Sequence, residues 1–287
     1  MTFRETLRHI LPAPIRRLVN HRRHYLTLLR NGNTFSLAPY VHRALINSKR
    51  ELCVSIGSRR ILVRANTPDV LVAGNSLSGE FDESIKAAQP LQHNFIIDAG
   101  GYIGTAAIVF AEAFPAATVV TLEPSRENFA LLSRNVRPYP NIVAINAALG
   151  DRQGVVTLRD VGEREWGYSI VDGHKGYASA TIMHDVEVTT IPSLLRRFDA
   201  TGIDLLKLDI EGSELSVLRA SADWISSTRV IIAELHDGFV PGCTEAFEAV
   251  TQGWVRVRCG EKILAHAPSY RQFWCTKSDQ AAALLIS

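Results

Sequence analysis

Asn94-Phe95-Ile96-Ile97-Asp98-Ala99-Gly100-Gly101-Tyr102-Ile103-Gly104-Thr105-Ala106 decides how the rest of this chain is read. An apolar run ends in a carboxylate, passes through glycines and opens onto Ala-rich helical sequence, the pattern of a buried strand, a tight turn and a helix N-terminus. Glycine lets the backbone turn sharply and lets a ligand lie against the main chain, while the helix start offers free N–H donors. Val119-Val120-Thr121-Leu122-Glu123 is a second apolar strand ending in a carboxylate, and Glu123 follows Asp98 by 25 residues. That interval is close to the spacing at which dinucleotide folds place a ribose-binding acid. An adenosine-type ligand is implied, with Glu123 on its ribose.

Outward from this unit the alternation is regular. Strands are expected over 94–99, 118–123 and 141–147, with helices over about 102–113 and 125–136 between them. Ser125 or Pro124 starts the second helix, and Asn135 followed by Pro138 ends it. Ala147-Ala148-Leu149-Gly150-Asp151 closes the third strand with small residues, against which a flat ring such as adenine could lie as readily as a packed turn. Residues 152–190 break the rhythm with three strand-like runs and Gly-containing loops. Such an insertion at the strand ends of an α/β sheet shapes a pocket; Trp166 and Tyr168 either face the substrate there or simply pack. The βα rhythm then resumes through a strand at 204–210, a helix at 212–220 and a strand at 230–235. Segments 254–258 and 272–276 are expected to form an antiparallel closing pair. The fold class is therefore α/β, a Rossmann-like sheet that is mostly parallel with an antiparallel closing strand pair.

The N-terminal portion, residues 1–90, reads as a basic helical segment and a β-hairpin cap, and residues 91–287 as the ligand-binding domain. Between Arg4 and Arg30 seven arginines are opposed only by Glu5, with leucines and isoleucines interleaved. Such a stretch either packs on the domain with a solvated arginine face or makes peripheral contact with a membrane surface. A hairpin around Gly57-Ser58 is expected to stand outside the main sheet. The full chain carries 46% hydrophobic and 21% charged residues and a net charge of +2, an ordinary globular balance. Cys53, Cys243, Cys259 and Cys275 are scattered without zinc or disulfide spacing, so a reducing cytoplasm is the expected setting.

Lys207-Leu208-Asp209-Ile210-Glu211-Gly212-Ser213-Glu214 carries the chemistry. Period-two alternation puts Lys207, Asp209 and Glu211 on one side of an emerging strand. An apolar sheet interior would not tolerate three unpaired charges, so they belong at its carboxyl end, in the cleft. Glu234-Leu235-His236-Asp237 ends the next strand and lies beside Asp209 if the two strands are neighbours. His236 is open to three readings: a general base, a metal ligand with the carboxylates, or a hydrogen-bonded strand end. No resident metal is expected.

The stretches 97–104, 122–129, 146–151 and 207–214, in that order, resemble the motifs of FkbM-type methyltransferases, class I enzymes dependent on S-adenosylmethionine. The likeness spans roughly residues 94–236, and Gly79-Glu80-Phe81 is similar to the short Gly-Glu-aromatic segment that precedes the sheet in that family. It implies O-methylation of a sugar, glycan or polyketide-like hydroxyl. It also implies that Asp98 and the Gly100-Gly101/Gly104 turn line the methionine portion, that Glu123 holds the ribose and that Ala148 borders the adenine. Family members commonly carry Ala-Asn where this chain has Gly101-Tyr102.

Asp209 or His236 is expected to accept the proton of the reacting hydroxyl, with Glu211 and Glu234 fixing the geometry. The expected partner is a small-molecule or glycan acceptor and not a nucleic acid. A nicotinamide-dependent oxidoreductase would use the same glycine turn and ribose acid, but Tyr102 occupies the position where GxGxxG requires its second glycine. A cofactor-binding partner protein without turnover is the other alternative.

Overall fold

Seven strands form the central sheet of the computed structural model, which describes residues 21–31, 34–162, 167–171 and 180–268. In chain order they are β3 (Phe95–Ala99), β4 (Thr118–Leu122), β5 (Ile142–Ile145), β10 (Ile203–Leu208), β11 (Thr228–Glu234), β12 (Val255–Cys259) and β13 (Lys262–His266). Across the sheet they lie in the order β12-β13-β11-β10-β3-β4-β5. The five strands β11, β10, β3, β4 and β5 run parallel, and β13 and β12 close the edge antiparallel. Chain order runs outward from β3 in one direction and from β10 in the other, so a topological switch point falls between these two strands, where open α/β sheets bind ligands at the carboxyl edge.

Alternate residues of the central strands enter two cores, as a sheet covered on both faces requires. Ile97, Val120, Leu206, Leu208, Ile231 and Ala233 pack against α7 (Ile191–Arg197), α8 (Glu214–Arg219) and α9 (Cys243–Val250). Ile96, Val119, Leu205, Val230 and Ile232 face α4 (Asp82–Ala88) and α5 (Thr105–Ala113). The helix α6 (Arg126–Val136) begins at Ser125, whose hydroxyl accepts the Asn128 N–H.

The hairpin of β1 (Glu51–Ile56) and β2 (Arg59–Arg64) is a separate two-stranded sheet. It shares a core with α1 (Arg22–Asn31), α2 (Thr34–Leu45), α3 (Asp69–Ser76), α5 and α6, where Val54, Ile56, Ile61 and Val63 meet Ile103, Ile108, Leu131 and Leu132. The hairpin thus lies on the sheet's flanking helices, and it is the segment after it, 72–81, that reaches the carboxyl edge. Between β5 and α7, the strands β6 (Ala148–Leu149), β7 (Gly154–Asp160), β8 (Tyr168–Ser169) and β9 (Thr181–Thr189) make a four-stranded sheet in the order β6-β9-β7-β8.

Three boundaries differ from the sequence reading. Helix α5 starts at Thr105, not near 102, because Gly100, Tyr102 and Gly104 hold φ of 82°, 50° and 88°, and such a run of left-handed residues is a turn. The expected strand 141–147 breaks at Asn146, whose Nδ2 donates to the Glu123 and Pro124 carbonyls; Ala148–Leu149 then joins the second sheet. The closing pair is 255–259 with 262–266, joined by Gly260-Glu261 with Gly260 at φ 65°; a two-residue loop of this kind makes a tight hairpin. The segment 272–276, like Trp166, Cys275 and the first twenty residues, lies outside the described residues. Among the described residues no helix is long and apolar enough to cross a membrane.

Candidate functional site

At the switch point the two informative stretches meet. The Asp209 N–H donates to the Ala99 carbonyl (3.2 Å), and the Asp209 carbonyl lies so close over Gly100 that a Cβ there would come within 1.8 Å of it. Gly101 is as tightly placed, with its Cβ position 2.2 Å from Thr121 Oγ1. Gly104 faces Leu132 and Val136 of α6. Its lack of a side chain serves helix packing, and it lines neither of the two hollows described below.

A cavity of about 360 Å³ opens along the carboxyl edge. Gly100, Gly101, Tyr102 and Thr105 form its floor, Asn75, Ser76, Glu80 and Phe81 one wall, and Lys207, Asp209, Glu211, Glu234, His236 and Lys262 the other. A narrower slot continues from it between Leu122, Pro124, Ala147, Ala148, Leu149 and Ile170, with Tyr168 of β8 at its side. Gly100, Glu123, Asp209 and Glu211 line both.

Asp98 is fully buried and reaches neither hollow. Thr121 Oγ1 donates to its Oδ2 (2.9 Å) and Lys207 Nζ stands 3.1 Å from its Oδ1. The three residues are cross-strand neighbours on β4, β3 and β10. Lys207 Nζ also donates to the Ala99 and Gly100 carbonyls (3.2 and 2.9 Å), so this rung holds the glycine turn in place. Burial disfavours the Lys207 charge, but Asp98 and Asp209 outweigh it and raise its pKa.

Glu123 is 5% exposed. Its Oε2 accepts the Tyr102 N–H (2.8 Å), and its Oε1 accepts the Ser125 N–H (2.9 Å) and Asn128 Nδ2 (3.3 Å). Burial pushes its pKa up to about 7, against the pull of those donors. The Tyr102 hydroxyl donates to the buried Asp69 carboxylate, which also forms an ion pair with Arg64 (2.9 Å). Tyr102 thus ties the N-terminal portion of the chain to the glycine turn.

Across the cavity His236 sits among carboxylates. Its Nδ1 lies 3.1 Å from Glu214 Oε1, and its Nε2 lies 3.6 Å from Glu211 and 3.9 Å from Glu234. Burial works against a charge on the ring, but the hydrogen bond to Glu214 and the charges of Glu214, Glu211 and Asp209 push its pKa up to about 9. At neutral pH it is an imidazolium, without a lone pair to take a proton, which is at odds with the expected role as base. Burial, reinforced by Asp209, Glu214 and Glu234 and opposed by His236, brings Glu211 up to about 8. For Asp209 burial acts in the opposite sense from its neighbours, and Lys207, Lys262 and His236 prevail, holding its pKa below the usual carboxylate range. Of the three expected catalytic groups, Glu211 is the one poised to exchange a proton near neutrality.

Sequence reading did not single out Lys262 or the part played by Glu214. Lys262 Nζ contacts Glu234 (2.6 Å), Glu80 (3.1 Å) and Asp209 (3.6 Å). Glu214 is fully buried and accepts the Ile210 and Gly212 N–H groups (2.7 and 2.8 Å) as well as facing His236, so it clamps the turn that presents Asp209 and Glu211. The hairpin signal Cys259-Gly260-Glu261-Lys262 pairs Lys262 with Cys259; its placement opposite Glu234 follows only from the register of β13 on β11.

Among curated proteins, the chain is similar to two named methyltransferases. Methyltransferase sdnD of Sordaria araneosa is 27% identical over 156 residues, covering 44% of this chain and 59% of the relative. Methyltransferase 1 of Beauveria bassiana (strain ARSEF 2860) is 26% identical over 154 residues, covering 45% and 59%. The chain therefore spans about three-fifths of the length of these relatives. Among solved structures, the SAH-bound Podospora anserina methyltransferase PaMTH1 aligns with a TM-score of 0.36 at 13% identity, over 89% of this chain and 97% of that one. The SAM-dependent methyltransferase from Agrobacterium tumefaciens aligns with a TM-score of 0.41 at 11% identity, over 75% and 69%. The methyltransferase FkbM domain matches residues 98–257, more than half of the sequence and the whole of the glycine turn, Glu123 and the Asp209–His236 edge, so the chain belongs to the FkbM methyltransferase family.

Proposed function

We propose that the protein is an O-methyltransferase that takes its methyl group from S-adenosylmethionine and passes it to a hydroxyl of a neutral small molecule or glycan, a sugar or a polyketide-like alcohol. The observation that carries this is the placement of the acidic wall of Asp209, Glu211 and Glu234 on the same sheet edge as the glycine turn and Glu123. The residues present fit the cofactor. Glu123 offers a buried carboxylate between cavity and slot, Ala147, Ala148 and Leu149 make a side-chain-poor wall for a flat ring, and Gly100 and Gly101 leave the main chain bare.

Bound here, S-adenosylmethionine would supply an electrophilic methyl on a sulfonium, so what the chain must add is mainly position and a proton acceptor. Ionised Asp209 accepts a hydrogen bond from the acceptor hydroxyl. Glu211, ionised in a minority of molecules at neutrality and increasingly as pH approaches its pKa of about 8, takes the proton as the oxygen is alkylated. The His236 imidazolium, 3.6 Å from Glu211, stabilises the carboxylate before transfer. Six carboxyl groups line the cavity, those of Glu80, Glu123, Asp209, Glu211, Glu234 and Glu261, against Lys207, Lys262 and His236. Glu123 and Glu211, raised to about 7 and about 8, are partly protonated at neutrality, so the negative surplus is small. That balance disfavours phosphorylated or carboxylated acceptors and favours neutral polyols.

The test is transfer of labelled methyl across neutral glycosides, polyols and polyketide alcohols, with anionic acceptors alongside, and S-adenosylhomocysteine binding measured separately. Transfer to a neutral hydroxyl is expected, with Glu211→Gln losing about 100-fold or more in turnover while binding S-adenosylhomocysteine as the wild type does. Tight binding of the cofactor product with no transfer to any hydroxyl would favour a non-catalytic binding protein instead.

A further inference from the structure

Asp209, Glu234 and His236 have the composition of a divalent metal site, and one ligand atom from each falls within 4.8 Å of the others. Hard carboxylate oxygens with an imidazole suit Mg²⁺, Mn²⁺ or Zn²⁺. Yet the space among these oxygens is already served by a cation of the chain itself. Lys262, in β13, is the register partner of Glu234 and sends its ammonium back between the strand ends. Its Nζ lies 2.6 Å from Glu234 Oε2, 3.1 Å from Glu80 Oε1 and 3.6 Å from Asp209 Oδ2, on a side chain that is 11% exposed. These three carboxylates come from the turn before α4, the end of β10 and the end of β11. Asp209 Oδ2 is held between two ammonium groups, since Lys207 Nζ approaches it to 3.8 Å.

We propose that Lys262 is a built-in cation that takes the place of a divalent ion at this edge. It draws Glu80, Asp209 and Glu234 together, keeps the last two aimed into the cavity and, by occupying their oxygens, excludes metal. Burial by itself would discharge a lysine, but Asp209, Glu80 and Glu234 raise its pKa, so the ammonium persists through the physiological range. A fixed charge of this kind needs no metal to be loaded and costs little reorganisation when acceptor enters. Lys262 is a positioning residue in this account, and it lies beyond the stretch matched by the family domain, 98–257. Its part in methyl transfer rests on the proposed function; its exclusion of metal does not.

The two are separated by titrating Mn²⁺ into the full-length protein, by calorimetry and by the paramagnetic signal of the ion, with S-adenosylhomocysteine affinity as the check on folding. Wild type should take up no Mn²⁺ at this edge, and chelator should leave its turnover unchanged. Lys262→Ala should gain an Mn²⁺ site at least about tenfold tighter than any in wild type, and that site should vanish in Lys262→Ala/Glu234→Gln. Lys262→Arg, which keeps the charge, should exclude the ion as wild type does. Uptake of Mn²⁺ by wild type that is abolished by Glu234→Gln would overturn the proposal, and so would a folded Lys262→Ala that gains no site. Should Lys262→Ala fail to fold, the wild-type and Lys262→Arg titrations still decide between a resident lysine and a resident metal.

Discussion

Glu214→Gln tests the charge state on which the reading of the site turns. The carboxylate is fully buried, accepts the N–H groups of Ile210 and Gly212, and faces His236 Nδ1 at 3.1 Å. Glutamine keeps the shape but loses the charge, and its NH₂ would point at one of those N–H donors. Leaving a buried donor unmet costs about 1–3 kcal/mol. The electrostatic part follows from His236, whose pKa stands at about 9 against an ordinary 6.5. At 1.36 kcal/mol per unit, that difference corresponds to about 3 kcal/mol, shared among Glu214, Glu211 and Asp209. Glu214 makes the hydrogen bond and holds the largest share, so its replacement should lower the His236 pKa by about 1–2 units.

The sign is set by linkage. A histidine whose folded pKa is raised contributes stability that is complete below pH 6.5 and is lost as pH climbs through about 9. The penalty of Glu214→Gln should therefore be greatest at pH 6, about 3–5 kcal/mol, and should shrink toward pH 9. Glu123, raised to about 7, slopes the same way in both proteins, but Glu211, raised to about 8 partly by Glu214, shifts with the substitution. The ring titration therefore separates the histidine's share of the difference between the two denaturation series. Denaturant melts from pH 6 to 9 and an NMR titration of the His236 ring supply the readings. A wild-type ring titrating near 6.5, or a penalty constant with pH, would refute the argument.

Other consequences are simpler to reach. Gly100→Ala puts a methyl 1.8 Å from the Asp209 carbonyl at a φ of 82°; it should part the two strand ends and weaken S-adenosylhomocysteine binding by about 100-fold or more, as calorimetry would show. Tyr102→Phe removes a buried hydroxyl donor from Asp69. It should cost about 1–3 kcal/mol of stability by denaturant melt, and equal stability would mean that the tie between the N-terminal portion and the glycine turn carries no weight. Residues 1–64 hold thirteen Lys or Arg against two acids, leaving eighteen against twenty-seven in the rest of the chain, and Leu26 and Leu29 on α1 are exposed beside Arg22, Arg23 and Arg30. The full chain should co-sediment with phosphatidylserine vesicles and not with phosphatidylcholine vesicles, the difference fading at high salt; equal behaviour toward both lipids would discard the membrane reading of the basic segment.

The central sheet was legible because four of its five parallel strands are short apolar runs stopped by glycine or a charge, with Asn146 stopping the fifth, as suits a sheet covered on both faces. Glu123 was legible from its interval after Asp98, and Asp209 by exclusion, since an unpaired charge at the end of an apolar strand belongs at the carboxyl edge. At Asp98 the resemblance implied a place beside the ligand, but the carboxylate reaches neither hollow. A carboxylate there does stay inside, because Lys207 and Thr121 on the flanking strands supply its partners, and cross-strand neighbours cannot be known before the strand order is.

The pairing of Lys262 with Glu80 was hidden for a related reason, since 182 residues separate them and only the fold brings them within 3.1 Å. His236 shows the limit most clearly. Sequence places an imidazole near acids and leaves base, metal ligand and strand end open, whereas in the fold Glu214, Glu211 and Asp209 of the neighbouring strand's turn make it a cation, and the proposed basic role falls to Glu211. Residue types along one strand identify where polar chemistry must gather. Which of those groups holds the proton depends on the sum of charges across strands, and that sum exists only in the folded chain.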